Sequence, residues 1–401
     1  MSHTAATRCP YDSGEGAMTD PCRDYLRHRD IEPVRWDEDL ALWFVTGFRE
    51  ATELLRHPSL SSAWPERGST PLHAAVGGGD GARTSGLVRK WFMFNDHPSH
   101  GRARKLVAPL FSAERVAELR PFVEGVVDEL MAAHRESIDV MADLAVPLSG
   151  RVICHILGLP PRVAPHLEAW AQDVAAFLIA DYLPDVVTRG HSALEDMTVV
   201  IDQVLAGEPP VGTGLHLLRD AHRKGEIELQ DVWATATFLI YAGFETTSTF
   251  IGKAVRSILH TESWERLSGD GADRAIEELL RFDTSVQQVA RVATDTVEVA
   301  GRKIAAGDLV LIMLGTANRD AEAFSQPDRL DDRREIRRHL GFGYGAHYCL
   351  GAGLARLETQ IALNALFAKW STLRFAEPPR TRSHYGVTVL EHLVVEAAPG
   401  A

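Results

Sequence analysis

The sequence has little cysteine, no long apolar run and a deficit of positive charge. Only Cys9, Cys22, Cys154 and Cys349 occur among 401 residues, scattered and without a CxxC pair. That excludes a disulfide framework and a zinc site built on cysteine spacing. The longest uncharged apolar run, Val232–Phe244, stops at Glu245 after 13 residues, whereas a membrane span needs about 20. The opening stretch MSHTAATRCPYDSGEGAMTD lacks the apolar centre of a signal peptide, so residues 1–20 are expected to be disordered. These absences point to a cytoplasmic protein with reduced thiols and no membrane attachment. Lys and Arg number 42 against 55 Asp and Glu, a formal net charge of −13. Such an acidic balance argues against binding nucleic acid, which requires basic surface. Linkers and internal repeats are missing as well. Length alone suggests two or three domains, yet residues 21–401 are expected to form one unit.

What is present is mostly helical periodicity. Ser112–His134 opens on a capping serine and repeats apolar residues every three or four positions. Leu144–Leu157, Ala164–Ala180 and Asp185–Leu205 read the same way between Pro and Gly breaks. The stretch Leu229–His260 is apolar nearly all round in its first half, so it is expected to cross the core. As a helix it would be about 48 Å long. Strand signals come late. Residues 289–314 alternate around Gly301 and Gly307, which predicts a small antiparallel sheet, and the C-terminal HYGVTVLEHLVVEA predicts a hairpin. The fold class is therefore mainly α with small β-sheets. Gly77–Gly86 is the most flexible-looking internal loop, expected to serve binding or access.

Chemistry concentrates in LGFGYGAHYCLGAGLARLETQIALNALF. Gly341, Gly343 and Gly345-Ala346 fit a dinucleotide fingerprint, but that motif follows a buried strand. Here the preceding residues are DDRREIRRHL, with four arginines in six positions, which no buried strand accommodates. The alternative makes Cys349 an axial iron ligand. Gly343 and Gly345 permit a tight turn beneath a flat cofactor, and the helix expected from Leu350 onward would favour a thiolate at its start. Taken alone, Cys349 reads first as a small buried thiol, the commoner fate of a lone cysteine.

It does not stand alone. Phe342-x-x-Gly345-x-His347-x-Cys349-x-Gly351 resembles the haem-binding loop of the cytochrome P-450 family, the haem-thiolate monooxygenases. Ala242-Gly243-Phe244-Glu245-Thr246-Thr247, Glu278-Leu-Leu-Arg281, His100-Gly-Arg102-Ala-Arg104 and Arg291 match in the family's order. The resemblance spans about Ile31 to the C-terminus and implies one domain enclosing haem b. One departure lies after Arg281, where the family often has a Pro pair and this chain has Thr284-Ser285, then Val286-Gln287-Gln288. Tyr344 and Tyr348 occupy variable positions of the loop.

By resemblance, Cys349 is the iron's axial ligand. His100, Arg104, Arg291 and His347 hold the propionates, and Glu278–Arg281 forms a structural pair. Ala242 and Gly243 leave room for O₂. Glu245 and Thr246 form the catalytic pair: an acid and an alcohol inside an apolar helix are costly unless used, and here they pass protons to the oxygen being activated. The alternative is a Thr bonded back to its own helix and a Glu in a salt bridge. The pocket would draw on Trp64–Phe94, Ala164–Leu205, Ala236–Glu245, Thr284–Val289 and Val387, and Gln287 and Gln288 hint at a polar substrate. The implied reaction is O₂-dependent oxidation, above all hydroxylation, of a small organic substrate in natural-product tailoring. Oxidative ring closure or carbon–carbon coupling is the alternative. Only 52 residues follow Cys349, too few for a fused flavin domain, so electrons are expected from a separate ferredoxin and ferredoxin reductase. Arg102, Lys105, Arg333, Arg334, Arg337 and Arg338 form the candidate docking face.

Overall fold

The computed structural model describes residues 32–63, 85–179, 183–261, 272–331, 333–335, 338–370, 372–384 and 387–398. The N-terminal segment 1–20, the loop core around Gly77, pocket residues 64–84, and Arg337 lie outside these. Apolar periodicity folds into helices α1 (Ser99–Val107), α2 (Ala113–Ala132), α3 (Val146–Leu157), α4 (Leu167–Ile179), α5 (Pro184–Ala206), α6 (Gly214–Arg223), α7 (Leu229–Thr261), α8 (Ala272–Phe282) and α9 (Ala352–Lys369).

Local chemistry sets the boundaries. Ser112 caps α2 by accepting from the Arg115 N–H at 3.2 Å, which satisfies one of the donors a helix start leaves open. The helix expected from Leu144 begins at Val146, preceded by a wide π-helical segment, Val140–Ala145, that Asp139 caps through Met141 and Ala142. The one expected from Ala164 begins at Leu167. Pro161 and Pro165 hold the residues before it in 3₁₀ turns.

The long α7 runs through the main apolar core, with Phe244, Phe250, Ile251 and Val255 all buried. It lies close against α3, where a Cβ on Gly243 would come within 2.7 Å of Ile153 Cδ1. Val140–Leu157 is apolar enough to span a membrane by composition, but 67% of it is buried inside the fold.

The strands depart from expectation. β1 (Val34–Asp37), β2 (Leu42–Val45), β3 (Leu60–Ser61), β5 (Val289–Ala293) and β8 (Leu309–Ile312) form one sheet of order β1-β2-β8-β5-β3. The pair β5 and β8 is antiparallel as expected, yet β8 also runs parallel to β2. β6 (Val297–Val299) and β7 (Arg302–Ile304) form a separate hairpin. At the C-terminus β10 (Arg380–His384) pairs with β11 (Val387–His392). β12 (Val394–Ala397) leaves that hairpin to lie between β4 (Ser137–Asp139) and β9 (Leu373–Phe375). Alternation tells which face of a strand is buried and says nothing of its partner.

Candidate functional site

The cysteine loop starts where Leu340 N–H donates to Asn318 Oδ1 at 2.6 Å. Gly343 and Gly345 then take left-handed φ values of 69° and 76°. At Gly345 a Cβ would also strike the Leu55 carbonyl at 2.9 Å. The loop closes on itself through Cys349 N–H to the Phe342 carbonyl at 2.9 Å. It is tied to α1 by Arg104 Nη2 donating to the Tyr348 carbonyl at 2.6 Å. Gly351 is the N-cap of α9, so Cys349 stands just before a helix start, as the sequence predicts. Burial nevertheless pushes its thiol up, outweighing the Gly351 N–H, Arg104 and Arg356, which all favour the thiolate. The helix terminus alone does not ionise this sulfur; a bound metal cation would. Cys154 shows the bland fate of a thiol, buried in α3 and pushed up to about 12.

Beside the loop, α1, β5 and the loop itself bring four groups of one kind together. The His100 and His347 rings lie 4.2 Å apart. Burial, then His100, Arg291 and Arg104, lowers His347 to about 3 against the pull of Asp96. Burial lowers Arg291 to about 10, and its guanidinium is held by the neighbouring Ala290 carbonyl at 2.8 Å. Asp96 supports the charge of His100, His347 and Arg291, and it also accepts from Ser61 Oγ and, at 3.0 Å, from Ser62 N–H. His100 Nε2 is buried without a hydrogen-bond partner. Crowded donors, two cationic and two imidazole, buried at His100 and Arg291 and half-buried at Arg104 and His347, with His100 Nε2 unpaired among the described residues, fit the two carboxylates of a haem. The predicted quartet His100, Arg104, Arg291 and His347 therefore assembles.

On α7, Thr246 Oγ1 donates to its own Ala242 carbonyl at 2.8 Å, the back-bond that was the alternative reading of this residue. Glu245 is hydrogen-bonded by the Tyr241 hydroxyl one turn earlier, and the Tyr241 ring stacks on Trp91 at 5.3 Å. Gly243 is small because α3 is close; its missing Cβ points at Ile153. The sequence reading assigned it to room for O₂. Trp91, fully buried, also donates from Nε1 to Thr237 Oγ1 at 3.1 Å. Its role in seating this part of α7 carried no signal in the sequence beyond its size.

Glu278 and Arg281 form the expected pair, bidentate at 2.7 and 2.8 Å and fully buried. Arg281 further donates to the Asn318 and Pro327 carbonyls, both at 2.9 Å. A third member is Arg334, whose Nε reaches Glu278 Oε1 at 3.1 Å while its other nitrogens take the carbonyls of Ser325, Gln326 and Arg329. This corrects the docking face. Glu278 is a buried acid with room for a second cation, so Arg334 turns inward. Arg338 is exposed and rests on Tyr344, bonding its hydroxyl at 2.8 Å.

The segment after α8 is held by backbone acceptors. Gln287 Nε2 donates to the Thr284 carbonyl at 2.5 Å, which engages one side of this amide with its own chain. Val286 and Gln288 are exposed on alternate positions. Val387 begins β11, paired with His384. Ser285, part of the departure from the family pattern, donates to the Thr246 carbonyl at 2.7 Å.

Comparison with known proteins agrees with this geometry. The family described as Cytochrome P450 matches residues 272–390. "Cytochrome P450 105A3" of Streptomyces carbophilus is 35% identical over 379 residues, covering 88% of this chain and 87% of that one. "Vitamin D3 dihydroxylase" of Streptomyces griseolus is 34% identical, covering 92% and 89%. The crystal structure of CalO2 superposes with a TM-score of 0.86 at 29% identity, over 98% and 99% of the two chains. Members of the family carry iron protoporphyrin IX and act as oxidoreductases that use O₂, with redox partners such as ferredoxin. The chain belongs to the cytochrome P450 family and is a haem-dependent monooxygenase.

Proposed function

We propose that the protein hydroxylates a small, mainly apolar organic molecule in natural-product tailoring. The observation that carries this is the Glu245–Thr246 pair inside the apolar α7, bonded sideways to the segment that also holds the cysteine loop. The relative named a vitamin D3 dihydroxylase supports hydroxylation of a small lipophilic compound. Cys349 would hold the iron. His100, Arg104, Arg291 and His347 would hold the propionates, with Ala242, Gly243, Phe342 and Gly351 enclosing the ring. When bound, haem b supplies the activation of O₂ and the oxidising power.

The chain's own residues then order the protons. Thr246 keeps its hydroxyl hydrogen parked on the Ala242 carbonyl, from which rotation about the Cβ–Oγ1 bond would present it to an acceptor in the pocket. Glu245 takes the next proton in line, and Tyr241 fixes one of its carboxylate oxygens. Aromatic walls such as Phe92 and Phe238, whose rings meet at 4.4 Å, exclude water on one side. Electrons come from a separate ferredoxin and its reductase, docking on exposed cations among Arg102, Lys105, Arg333 and Arg338. In Cys349→Ser, the red-shifted Soret band of the reduced carbon monoxide complex is expected to disappear while the fold persists. An unchanged band would sink the ligand assignment.

A further inference from the structure

Thr284 and Ser285 stand where the family often has a Pro pair, and each reaches a different wall of the site. Ser285 Oγ donates to the Thr246 carbonyl of α7 at 2.7 Å. Thr284 Oγ1 donates to the Gly341 carbonyl at the start of the cysteine loop at 3.2 Å. The Thr284 carbonyl in turn accepts from Lys253 Nζ at 2.9 Å. Lys253 lies seven positions after Thr246, two turns along, so both attachments fall on one face of α7. Thr284 is 1% exposed and Lys253 4% exposed, which shields these bonds from water. Asp283 completes the anchor by pairing with Lys253 at 3.3 Å and Arg256 at 2.6 Å.

We infer that Thr284-Ser285 is a two-sided tether and that Ser285 is a positioning residue for Thr246. A helical carbonyl has two lone pairs, and the N–H four residues on occupies one. Ser285 occupies the other and so fixes the peptide that follows Thr246. The Thr246 side chain is meanwhile held upstream at Ala242. With both ends fixed, the hydroxyl is left rotation about its own side-chain bonds and little movement of its backbone. Proline at position 285 has no donor and could not make this bond. The inference rests on the proton-relay reading of Thr246 proposed above.

Hydrogen–deuterium exchange on the haem-loaded protein tests it, alongside the fraction of electrons recovered in product. Ser285→Ala should raise exchange at the amides of residues 246–250 about threefold or more. It should also lower coupling at least twofold, with the thiolate carbon monoxide spectrum unchanged. Ser285→Thr, which keeps the hydroxyl, should restore both. Wild-type exchange in Ser285→Ala, or equal loosening in Ser285→Thr, overturns the tether. Loosening with full coupling overturns the positioning role. Thr246→Ala run in parallel separates the two readings, because it stays coupled only if the relay itself is wrong.

Discussion

Arg334 shows how a residue's neighbours decide its role. In the sequence it is one of four arginines in a polar run; in the fold it is the second cation on a buried carboxylate. Removing one partner of a buried ion network costs about 3–5 kcal/mol. Arg334→Ala is therefore expected to lower the urea midpoint sharply, whereas the exposed Arg333→Ala should stay within about 0.5 kcal/mol of wild type. Equal, small effects would return Arg334 to the surface set. Glu278 and Arg281 were legible as a pair because their spacing is local. Arg334 and Ser285 were not, because their partners lie 56 and 39 positions away, and nothing in a local pattern reports such pairings. Gln287 belongs with them, since its amide donates to the Thr284 backbone carbonyl, an acceptor that no side-chain pattern announces.

Among the elements, α7 was the most legible, since a long stretch of near-continuous apolarity can only pass through a core. Its approach to α3 was not, although a glycine in mid-helix is itself a signal of close packing. Gly243→Ala would set a methyl 2.7 Å from Ile153 Cδ1. Overpacking of this kind costs about 1–3 kcal/mol, offset by about 1 kcal/mol from alanine's better helix propensity. Chemical denaturation should therefore show Gly243→Ala less stable than wild type. The double variant with Ile153→Val, which removes the clashing methyl, should recover wild-type stability. Failure of the second change to help would place the role of Gly243 elsewhere. The sheets were the least legible elements. The strand runs were found, but β8 beside β2 and β12 beside β4 join segments more than two hundred residues apart.

At the scale of the molecule, one buried acid sets a pH dependence that no motif announces. Glu358 of α9 is packed against Ser149 of α3, and burial raises its carboxyl from 4.5 to about 8. A carboxyl raised by folding binds its proton more tightly in the native state, so its share of stability is full below pH 4.5 and lost as pH rises towards 8. Three histidines whose pKa is lowered in the fold, His100, His155 and His347, slope the other way over part of this range. The clean measurement is thus the difference between wild type and Glu358→Gln. Urea midpoints at pH 5 and pH 8 should show wild type losing ground to the variant; parallel profiles would mean Glu358 is ionised in the fold. The bond from Arg104 to the Tyr348 carbonyl has a further consequence, in the time it takes to make the protein. Its partners are 244 residues apart, and synthesis at about 5–20 residues per second separates them by roughly 12–50 s. His100 and Arg104 of α1 are made long before the loop that brings His347 and Cys349 to them. Haem capture is thereby placed after Cys349 has been made, with the early helices waiting meanwhile for the loop they will hold.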